Sequence, residues 1–228
     1  MIEEPVVYVV DDDPAMIRLL AELVAAIGLN VEPYESAERF LEAYQASGPG
    51  CLVLDVRVPG MSGMELQKQL SVAGNTLPII FITGHADVRM AVEVMERGAF
   101  GFLEKPFRPQ ELCEKIQIAV RLDMETWRCR EERGSAVSQL AQLTPAERKV
   151  ADRLTSGKTN KMIAQELGLS VRTIETQRAS LMERLGIRSR TELVRLMASI
   201  APFSGCGEDV MRSGSKRAKL GRTARALA

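Results

Sequence analysis

Apolar residues in the first half of the chain occur in short runs, and each run leads to a polar residue. The runs are Val6–Val10, Leu52–Leu54, Ile79–Ile82 and Phe100–Leu103. The polar residues to which they lead are, in the same order, Asp11, Asp55, Thr83 and Lys105. Short runs rich in β-branched residues, separated by helical segments, predict buried parallel strands. Ligands bind beyond the carboxyl ends of such strands, so these four polar side chains are expected to converge.

Apolar residues at helical spacing fill the intervals between these runs. After the first run, Pro14 stands at a first helical position, the pattern continues through Val24, and Gly28 ends it. A further strand is predicted over Val31–Tyr34, with Ser36 capping the next helix. Right-handed crossovers make a sheet built from such units parallel. The predicted fold class is an α/β doubly wound, flavodoxin-like domain with five parallel strands.

The second half of the chain lacks such runs and is predicted to be all-α, with four helices. Thr144, Pro145 and Glu147 supply an N-cap, a proline at the first helical position and the glutamate of a capping box. Three more helices are predicted near Asn160–Gly168, Val171–Leu185 and Thr191–Ile200. The short glycine-containing turn between the second and third helices predicts a helix-turn-helix.

The length of 228 residues suits two domains. We predict a first domain over residues 1–122, a partly helical linker over 123–140, a helix-turn-helix domain over 141–201 and a tail over 202–228. The tail is basic, rich in glycine and serine and without apolar period, which predicts disorder. It acts either as a solubilising appendage or as a source of sequence-independent DNA affinity.

Charge is distributed unevenly, although the chain has 30 basic and 30 acidic residues. Residues 1–122 carry a net charge of −8, whereas 144–200 carry +5 and 201–228 carry +4. This asymmetry favours an acidic regulatory half and a basic half that faces nucleic acid.

Three features of the sequence indicate the cellular compartment of the protein. The four cysteines show no metal-ligand spacing. The N-terminus lacks a signal-peptide pattern. No apolar run approaches the ~20 residues that span a bilayer. We expect a reduced, cytoplasmic protein with no membrane partner.

The carboxylates that follow the first and third runs indicate a phosphoryl-handling site. Asp11, Asp12 and Asp55 would repel one another unless a cation lay among them, and hard oxygen ligands suit Mg²⁺. A carboxylate can attack a phosphoryl group and form an aspartyl phosphate, which makes Asp55 the candidate phosphoacceptor. Lys105 supplies a charge that can pair with Asp55 or with its phosphoryl group, and Thr83 supplies a hydroxyl that can donate to phosphoryl oxygens.

These motifs resemble a known family in both halves of the chain. The set Asp11-Asp12, Asp55, Thr83 and Lys105-Pro106 matches the receiver domain of two-component response regulators. The segments Leu143–Arg148, Asn160-Lys161 and Ile163-Ala164, together with Leu185, resemble a LuxR-type helix-turn-helix. The combination is similar to the FixJ/NarL family, and the segments 57–63 and 84–88 fit its FixJ-type members. Motif order and spacing support the resemblance over roughly residues 5–200.

The resemblance implies further roles in the first domain. The Arg57 backbone carbonyl would be a fourth Mg²⁺ ligand beside the three aspartates, and the Lys105–Pro106 bond would be cis. Phe102 matches the switch aromatic, although ordinary strand core remains an alternative. Val92, Glu96 and Arg97 lie where the family forms homodimers on phosphorylation, and a plain surface helix explains them about as well. The implied partners are a sensor histidine kinase, double-stranded DNA and, further, RNA polymerase.

The third helix of the second domain is expected to enter the major groove. Ile174, Leu181 and Leu185 share one face and form core, so the opposite face meets DNA. Lys161 at the start of the preceding helix suits phosphate contacts, as do Lys158, Arg188 and Arg190 in loops. The candidates for DNA contact are Lys161, Arg172, Thr173, Glu175, Thr176, Arg178, Ala179, Arg188 and Arg190. Gln177 stands where the family usually has histidine, and Ala179 where relatives often carry a basic residue. Both departures affect base preference rather than the binding mode.

We expect a regulator that is not an enzyme, and two other functions remain open. The Asp11-x-Asp13 spacing is similar to haloacid-dehalogenase-type phosphatases, but Asp55 and a DNA-binding module have no role in that scheme. The other is a phosphorylation-independent DNA-binding protein whose first domain is only a dimer scaffold. The single histidine, His85, lacks the partners of a metal site or a catalytic triad and is expected to be a solvated loop residue.

Overall fold

The computed structural model describes residues 4–84 and 88–200. These residues cluster into two compact units, of which the first ends at Trp127 and the second begins at Arg128. Two expectations, that His85 is a solvated loop residue and that the tail over 202–228 is disordered, fall outside the described residues.

Parallel strands form the centre of the first unit, as the apolar runs predict. The strands are β1 (Val6–Val10), β2 (Asn30–Tyr34), β3 (Gly50–Asp55), β4 (Ile79–Thr83) and β5 (Gly101–Glu104). Among the described residues they make one sheet in the order β2-β1-β3-β4-β5, with every neighbouring pair parallel. This confirms the flavodoxin-like, doubly wound fold. The strands β1, β3 and β4 are buried on both faces, which explains their continuous apolar sequences.

The two edge strands differ from the inner ones, β2 in its sequence and β5 in its length. Strand β2 lies at one edge and contains exposed Glu32 and Pro33. Proline has no N–H and is tolerated in a sheet at an edge. Strand β5, at the other edge, has four residues.

Helices cover both faces of the sheet. They are α1 (Pro14–Ala26), α2 (Ala37–Ala43), α3 (Gly63–Val72), α4 (Val88–Glu96) and α5 (Pro109–Ala141). Phe40 of α2, Leu66 of α3 and Val94 of α4 pack on one face. Leu20 of α1 and Ile116 of α5 pack on the other. Asp13 caps α1 by accepting a hydrogen bond from the N–H of Ala15, and Ser36 caps α2, as predicted for Ser36.

Helix α5 is longer than the sequence predicts. The segment 123–140, expected to be a partly helical linker, is helical throughout. Gly134 and Ser135 have low helix propensity, but Ala136 and Leu140 after them are buried, and Leu140 packs in the apolar core of the second unit. Burial of an apolar stripe stabilises a helix more than one unfavourable residue destabilises it.

The second unit contains the predicted helices with small shifts of boundary. They are α6 (Pro145–Thr155), α7 (Asn160–Leu167), α8 (Val171–Arg184) and α9 (Arg190–Ser199). Gly168 adopts a left-handed conformation with φ of 65° and ends α7, and Ser170 caps α8. Ile163, Ile174, Leu181 and Leu193 are fully buried in the core of this unit. The α7–turn–α8 arrangement is the predicted helix-turn-helix.

Glu147 connects the start of α6 to the helix α8. Its Oε2 atom accepts hydrogen bonds from the backbone N–H of Thr144 at 2.8 Å and from the Thr144 hydroxyl at 2.9 Å. Its Oε1 atom accepts from the Ser180 hydroxyl at 2.8 Å, and Arg184 Nε lies 3.6 Å from the same atom. The side chain is buried, and the N–H of Thr144, followed by the Ser180 hydroxyl, lowers the pKa of its carboxyl.

Replacing Glu147 with alanine is expected to lower the free energy of unfolding of the second unit by about 2–3 kcal/mol, because a cap and a buried acceptor are lost together. Urea denaturation of the full chain, followed by circular dichroism, measures this loss. Glu183→Ala, an exposed position on α8, is the control and should leave the stability unchanged. Equal stability of Glu147→Ala and wild type would contradict the prediction.

The same carboxylate makes this stabilisation depend on pH. A folded pKa below the unfolded value gives stability that is present at neutral pH and is lost as the pH falls through the folded pKa. The stability difference between wild type and Glu147→Gln should therefore be constant above about pH 5 and shrink below about pH 4. Denaturation midpoints measured across this range check the expectation, and a difference that grows on acidification would contradict it.

Candidate functional site

The carboxyl ends of four strands bring the predicted polar residues to one edge of the sheet. Asp11 directly follows β1, Asp55 is the last residue of β3, Thr83 is the last residue of β4, and Lys105 directly follows β5. The parallel register sets β1 beside β3, β3 beside β4 and β4 beside β5, so these chain positions become spatial neighbours.

Lys105 connects the two buried carboxylates of this site. Its Nζ atom lies 2.7 Å from Asp11 Oδ2 and 2.6 Å from Asp55 Oδ2. Asp11 is fully buried and Asp55 is 7% exposed, whereas Asp12 is exposed. One carboxylate oxygen from each of these three aspartates lies within 4.8 Å of the others. We refer to Asp11, Asp12, Asp55 and Lys105 as the acidic site.

Backbone N–H groups hold the second oxygen of each buried carboxylate. Asp11 Oδ1 accepts from the N–H of Asp13 at 2.9 Å, and Asp55 Oδ1 accepts from the N–H of Arg57 at 2.9 Å. Each buried aspartate is therefore held at both oxygens, and its rotamer is fixed before any ligand binds.

Burial and charge act in opposite directions within the acidic site. Burial raises the pKa of Asp11, and the hydrogen bond from Lys105 opposes that shift. Burial works against the charge of Lys105, but its hydrogen bonds to Asp11 and then Asp55 raise the pKa of the ammonium group above its ordinary value. Lys105 is consequently protonated at neutral pH and provides a fixed positive charge between two carboxylates.

The donor set of the acidic site fits a small divalent cation. Three carboxylates with oxygens so close together form a hard, anionic set, which Mg²⁺ prefers over soft ligands. The exposed carboxylate of Asp12 gives the set an open side toward solvent. These features support the expectation of Mg²⁺ from the sequence.

Thr83 and Phe102 lie on the neighbouring strands. Thr83 is fully buried, and its carbonyl accepts from the N–H of Lys105 at 2.7 Å. The Lys105–Pro106 bond is cis, as the resemblance implied. Phe102 is partly buried and packs against the apolar cluster that contains Phe81 and Val94. In this structure Phe102 is thus partly core and partly surface.

The candidate dimer residues lie on and beside α4. Val92 is 49% exposed, and Glu96 and Arg97 are also exposed. Arg97, which directly follows α4, forms an ion pair with Glu93 in the last turn of that helix. This part of the chain presents an apolar side chain with charges around it.

Helix α8 presents a polar face opposite its buried one. Arg172, Glu175, Thr176 and Ala179 are exposed, as predicted. Thr173 and Arg178 are partly buried at the borders of this face, and the Thr173 hydroxyl is hydrogen-bonded to Ser170 at 2.8 Å. The Thr176 hydroxyl donates to the Arg172 carbonyl at 3.0 Å, which leaves its lone pairs for a ligand donor.

The basic candidates outside α8 differ in their surroundings. Lys161 is exposed in the first turn of α7, and Arg188 is exposed between α8 and α9. Arg190 was expected in a loop, but it is the first residue of α9, because Ser189 caps that helix. Lys158, also expected to contact phosphate, instead forms an ion pair with Glu166, which Arg153 contacts as well.

Gln177 belongs to the inner border of α8 and not to its outward face. It is partly buried, and its Oε1 atom is buried without a hydrogen-bond partner among the described residues. That the departure from the family's histidine at this position affects base preference stays a prediction.

Sequence reasoning missed one contact at the acidic site. Glu38 of α2 accepts a hydrogen bond from the backbone N–H of Met61 at 2.6 Å. Met61 belongs to the segment that directly follows Asp55 and contains the Arg57 carbonyl. No local pattern in the sequence marks this contact, because it joins a side chain of α2 to a backbone N–H 23 residues later.

The helices that the structure describes include none with both the length and the apolar composition needed to cross a bilayer.

Comparison with known proteins matches both halves of the chain. The model of the response regulator receiver domain matches residues 7–117, and the model of the bacterial regulatory proteins of the luxR family matches residues 141–197. A solved structure of the response regulator StyR is 40% identical, with a TM-score of 0.79, and the alignment covers 86% of this chain and 98% of StyR.

Curated relatives extend over nearly the same region. The transcriptional regulatory protein FixJ of Azorhizobium caulinodans is 41% identical over 198 residues, which is 86% of this chain and 94% of FixJ. The response regulator protein TodT of Pseudomonas putida is 40% identical over 197 residues, which is 84% of each chain.

Proposed function

The chain belongs to the response regulators that join a receiver domain to a LuxR-type DNA-binding domain, and we propose that phosphorylation of its Asp55 makes it dimerise and bind DNA. It is a transcriptional regulator of a two-component system, with a histidine kinase and DNA as partners, and not an enzyme. The contact of Lys105 with both Asp11 and Asp55 carries the proposal, because it joins three strand ends in one charged site.

In the proposed transfer, an oxygen of Asp55 attacks the phosphorus atom of the kinase's phosphohistidine. The P–O bond forms as the P–N bond breaks, and the imidazole leaves. Mg²⁺ held by Asp11, Asp12, Asp55 and the Arg57 carbonyl would neutralise charge on the phosphoryl oxygens. Lys105, protonated at neutral pH, adds a second positive charge on the Asp55 side of the site.

The new phosphoryl group acts as the signal in this proposal. It adds about −1.5 to −2 units of charge and strong acceptor oxygens beside Asp55. Lys105 and the Thr83 hydroxyl contact those oxygens, and Phe102 turns inward as Thr83 moves. A ligand shifts a conformational equilibrium only through its different affinity for the two states. Partly buried Phe102 is suited to this role because it already contacts the core.

The favoured state forms a homodimer through Val92, Glu96 and Arg97. Two exposed valines meeting across a two-fold axis are removed from water, and the nearby charges set the register. Two copies of α8 then contact successive major grooves of a two-fold DNA site. The outward candidates on α8 read base edges, and Lys161, Arg188 and Arg190 contact phosphates.

The domain organisation of the proposal keeps the predicted boundaries. Residues 1–122 form the phosphoacceptor domain, 123–140 connect it to the DNA-binding domain over 141–201, and 202–228 form a basic tail. RNA polymerase is proposed as a further partner of the DNA-bound dimer. The cytoplasm is proposed as the place of action, because the chromosomal DNA lies there.

Beryllofluoride with Mg²⁺, a stable mimic of the phosphoryl group, is expected to double the mass of the protein in solution from the 25.1 kDa of the monomer. Light scattering after gel filtration measures the mass. Val92→Asp is expected to abolish the doubling, because it brings two carboxylates together at the interface. Val72→Asp, at an 82% exposed valine on α3, is the matched control and should dimerise like wild type.

An unchanged mass with beryllofluoride would contradict phosphorylation-driven dimerisation and favour the phosphorylation-independent DNA-binding protein. Doubling that survives in Val92→Asp would place the interface elsewhere.

A further inference from the structure

The segment between β3 and α3, residues Val56–Ser62, forms one wall of the acidic site. We refer to it as the acceptor loop. Its first residues carry the Arg57 N–H, which donates to Asp55 Oδ1 at 2.9 Å, and the Arg57 carbonyl that is proposed as a Mg²⁺ ligand. The conformation of this loop therefore decides where a backbone ligand and one Asp55 oxygen lie.

Contacts within the first unit fix the start and the end of the acceptor loop, and a separate contact from a distant helix reaches its far side. The N–H of Val56 donates to the Ile82 carbonyl at 3.1 Å, and the N–H of Gly63 donates to the Val56 carbonyl at 3.1 Å, which closes the loop on itself. The N–H of Met61 donates to Glu38 Oε1 at 2.6 Å, across 23 residues of sequence. Glu38 thus ties the far side of the loop to α2.

Glu38 approaches the acceptor loop most closely at Gly60. Gly60 has φ of +78°, and a Cβ atom added there would lie 2.5 Å from Glu38 Oε1 and 3.2 Å from its Cδ. The positive φ favours glycine here, and a larger residue would also have to displace the flexible end of the Glu38 side chain. A side chain at position 60 would therefore disturb the contact between Glu38 and the loop.

Helix α2 is a rigid support for this carboxylate. Ala37 and Phe40, on either side of Glu38 in the sequence, are fully buried, and Phe40 packs against Tyr8, Tyr34 and Tyr44. The N–H groups of Glu38 itself and of Met61 lower the pKa of the Glu38 carboxyl, so it remains a charged acceptor at neutral pH. A charged acceptor makes the stronger hydrogen bond.

We propose that Glu38 is a positioning residue of the phosphoacceptor site, which acts through the acceptor loop to keep the Arg57 backbone beside Asp55. This inference rests on the proposed phosphorylation of Asp55. Without the bond to Glu38 the loop samples other paths, and binding of a cation must then order it. Supporting groups of this kind affect metal affinity by about tenfold or more.

Glu38→Ala is expected to raise the dissociation constant for Mg²⁺ about tenfold, measured by calorimetric titration of the unphosphorylated full chain with MgCl₂. Glu38→Gln, whose amide oxygen can still accept from Met61, should stay within about threefold of wild type. Glu42→Ala, an exposed glutamate on the same helix, is the matched control and should bind like wild type. Wild-type Mg²⁺ affinity in Glu38→Ala would overturn the proposal.

Amide hydrogen exchange gives a second readout, independent of any metal. The Met61 N–H should exchange at least tenfold faster in Glu38→Ala than in wild type or Glu38→Gln, while the N–H groups of β3 keep their rates. Uniformly faster exchange would mean general destabilisation and would overturn a positioning role. Gly60→Ala, which crowds Glu38 Oε1, should reproduce the effect of Glu38→Ala on both measurements.

Phosphate incorporation by Asp55→Asn distinguishes a failure of the Glu38 proposal from a failure of the proposed function. If Asp55 were not the acceptor, Asp55→Asn would still incorporate phosphate from acetyl phosphate, whatever Glu38 does. If only the role of Glu38 were wrong, Asp55→Asn would lose incorporation while Glu38→Ala kept wild-type Mg²⁺ affinity.

Discussion

Asp55→Asn is expected to abolish phosphoryl incorporation, by at least about a thousandfold, because an amide oxygen is a far weaker nucleophile than a carboxylate. The change keeps the shape of the side chain, and its one oxygen can still accept from the Arg57 N–H, as Asp55 Oδ1 does at 2.9 Å. The amide NH2 then replaces the oxygen that accepts from Lys105, so the nucleophile and one ion pair are lost together while the fold is kept. Intact-protein mass spectrometry after incubation with acetyl phosphate and Mg²⁺ measures the incorporation.

Asp123→Asn is the matched control for this experiment. Asp123 is 6% exposed, close to the 7% of Asp55, and its Oδ2 accepts from the N–H of Gly50 at 2.9 Å. An asparagine oxygen can accept the same bond, so this variant tests the effect of neutralising a buried aspartate elsewhere in the same unit. It should be phosphorylated like wild type.

Phosphate incorporated by Asp55→Asn at the wild-type rate would contradict the assignment. Peptide mapping would then locate the acceptor, and a phosphorylated Asp11 or Asp13 would mean that the phosphoacceptor lies at the end of β1. Equal losses in Asp55→Asn and Asp123→Asn would mean that buried charge matters rather than the identity of the nucleophile.

Ala179→Glu is expected to weaken DNA binding about 100-fold, which corresponds to about 2.7 kcal/mol at 25 °C. Ala179 is exposed in the middle of the outward face of α8, so a glutamate there meets the bases and phosphates without disturbing the core. Fluorescence anisotropy with a duplex selected by the wild-type protein measures the affinity. Wild-type affinity in this variant would mean that the outward face of α8 does not enter the groove.

Two further variants make this result specific. Ala146→Glu places the same change at an exposed position of α6 and should bind DNA like wild type. Arg172→Ala should weaken binding about tenfold; if Arg172 contacts a phosphate, the salt dependence also falls by about one counterion. If instead Arg172 reads a base, the loss will depend on the sequence of the duplex.

Local sequence rules predict most of the elements because the physics that sets them is local. The β-branched runs, the cap at Thr144 and the glycine that ends α7 each act within a few residues, and the structure contains all three features. The convergence of Asp11, Asp55 and Lys105 could be predicted as well, because parallel strands of one sheet end at the same side.

The features that the sequence did not predict depend on partners distant in the chain. Helix α5 runs through Gly134 because Leu140 is buried in a core formed by later helices. The sequence predicts that Lys158 contacts phosphate, but in the structure Lys158 forms an ion pair with Glu166 of the next helix. The bond between Glu38 and Met61 has no periodic signature, because it joins a side chain to a backbone N–H across two elements.

The edges of the sheet restrict how copies of this chain can associate. Strand β2 lies at one edge and contains Pro33 and Glu32. Pro33 has no N–H to donate to a strand from another molecule, and Glu32 places a negative charge at the same edge. The opposite rim, β5, is too short to act as a template for a long ribbon. The edges thus disfavour pairing by sheet extension, and the proposed homodimer uses a helical surface, where contacts can form and break reversibly.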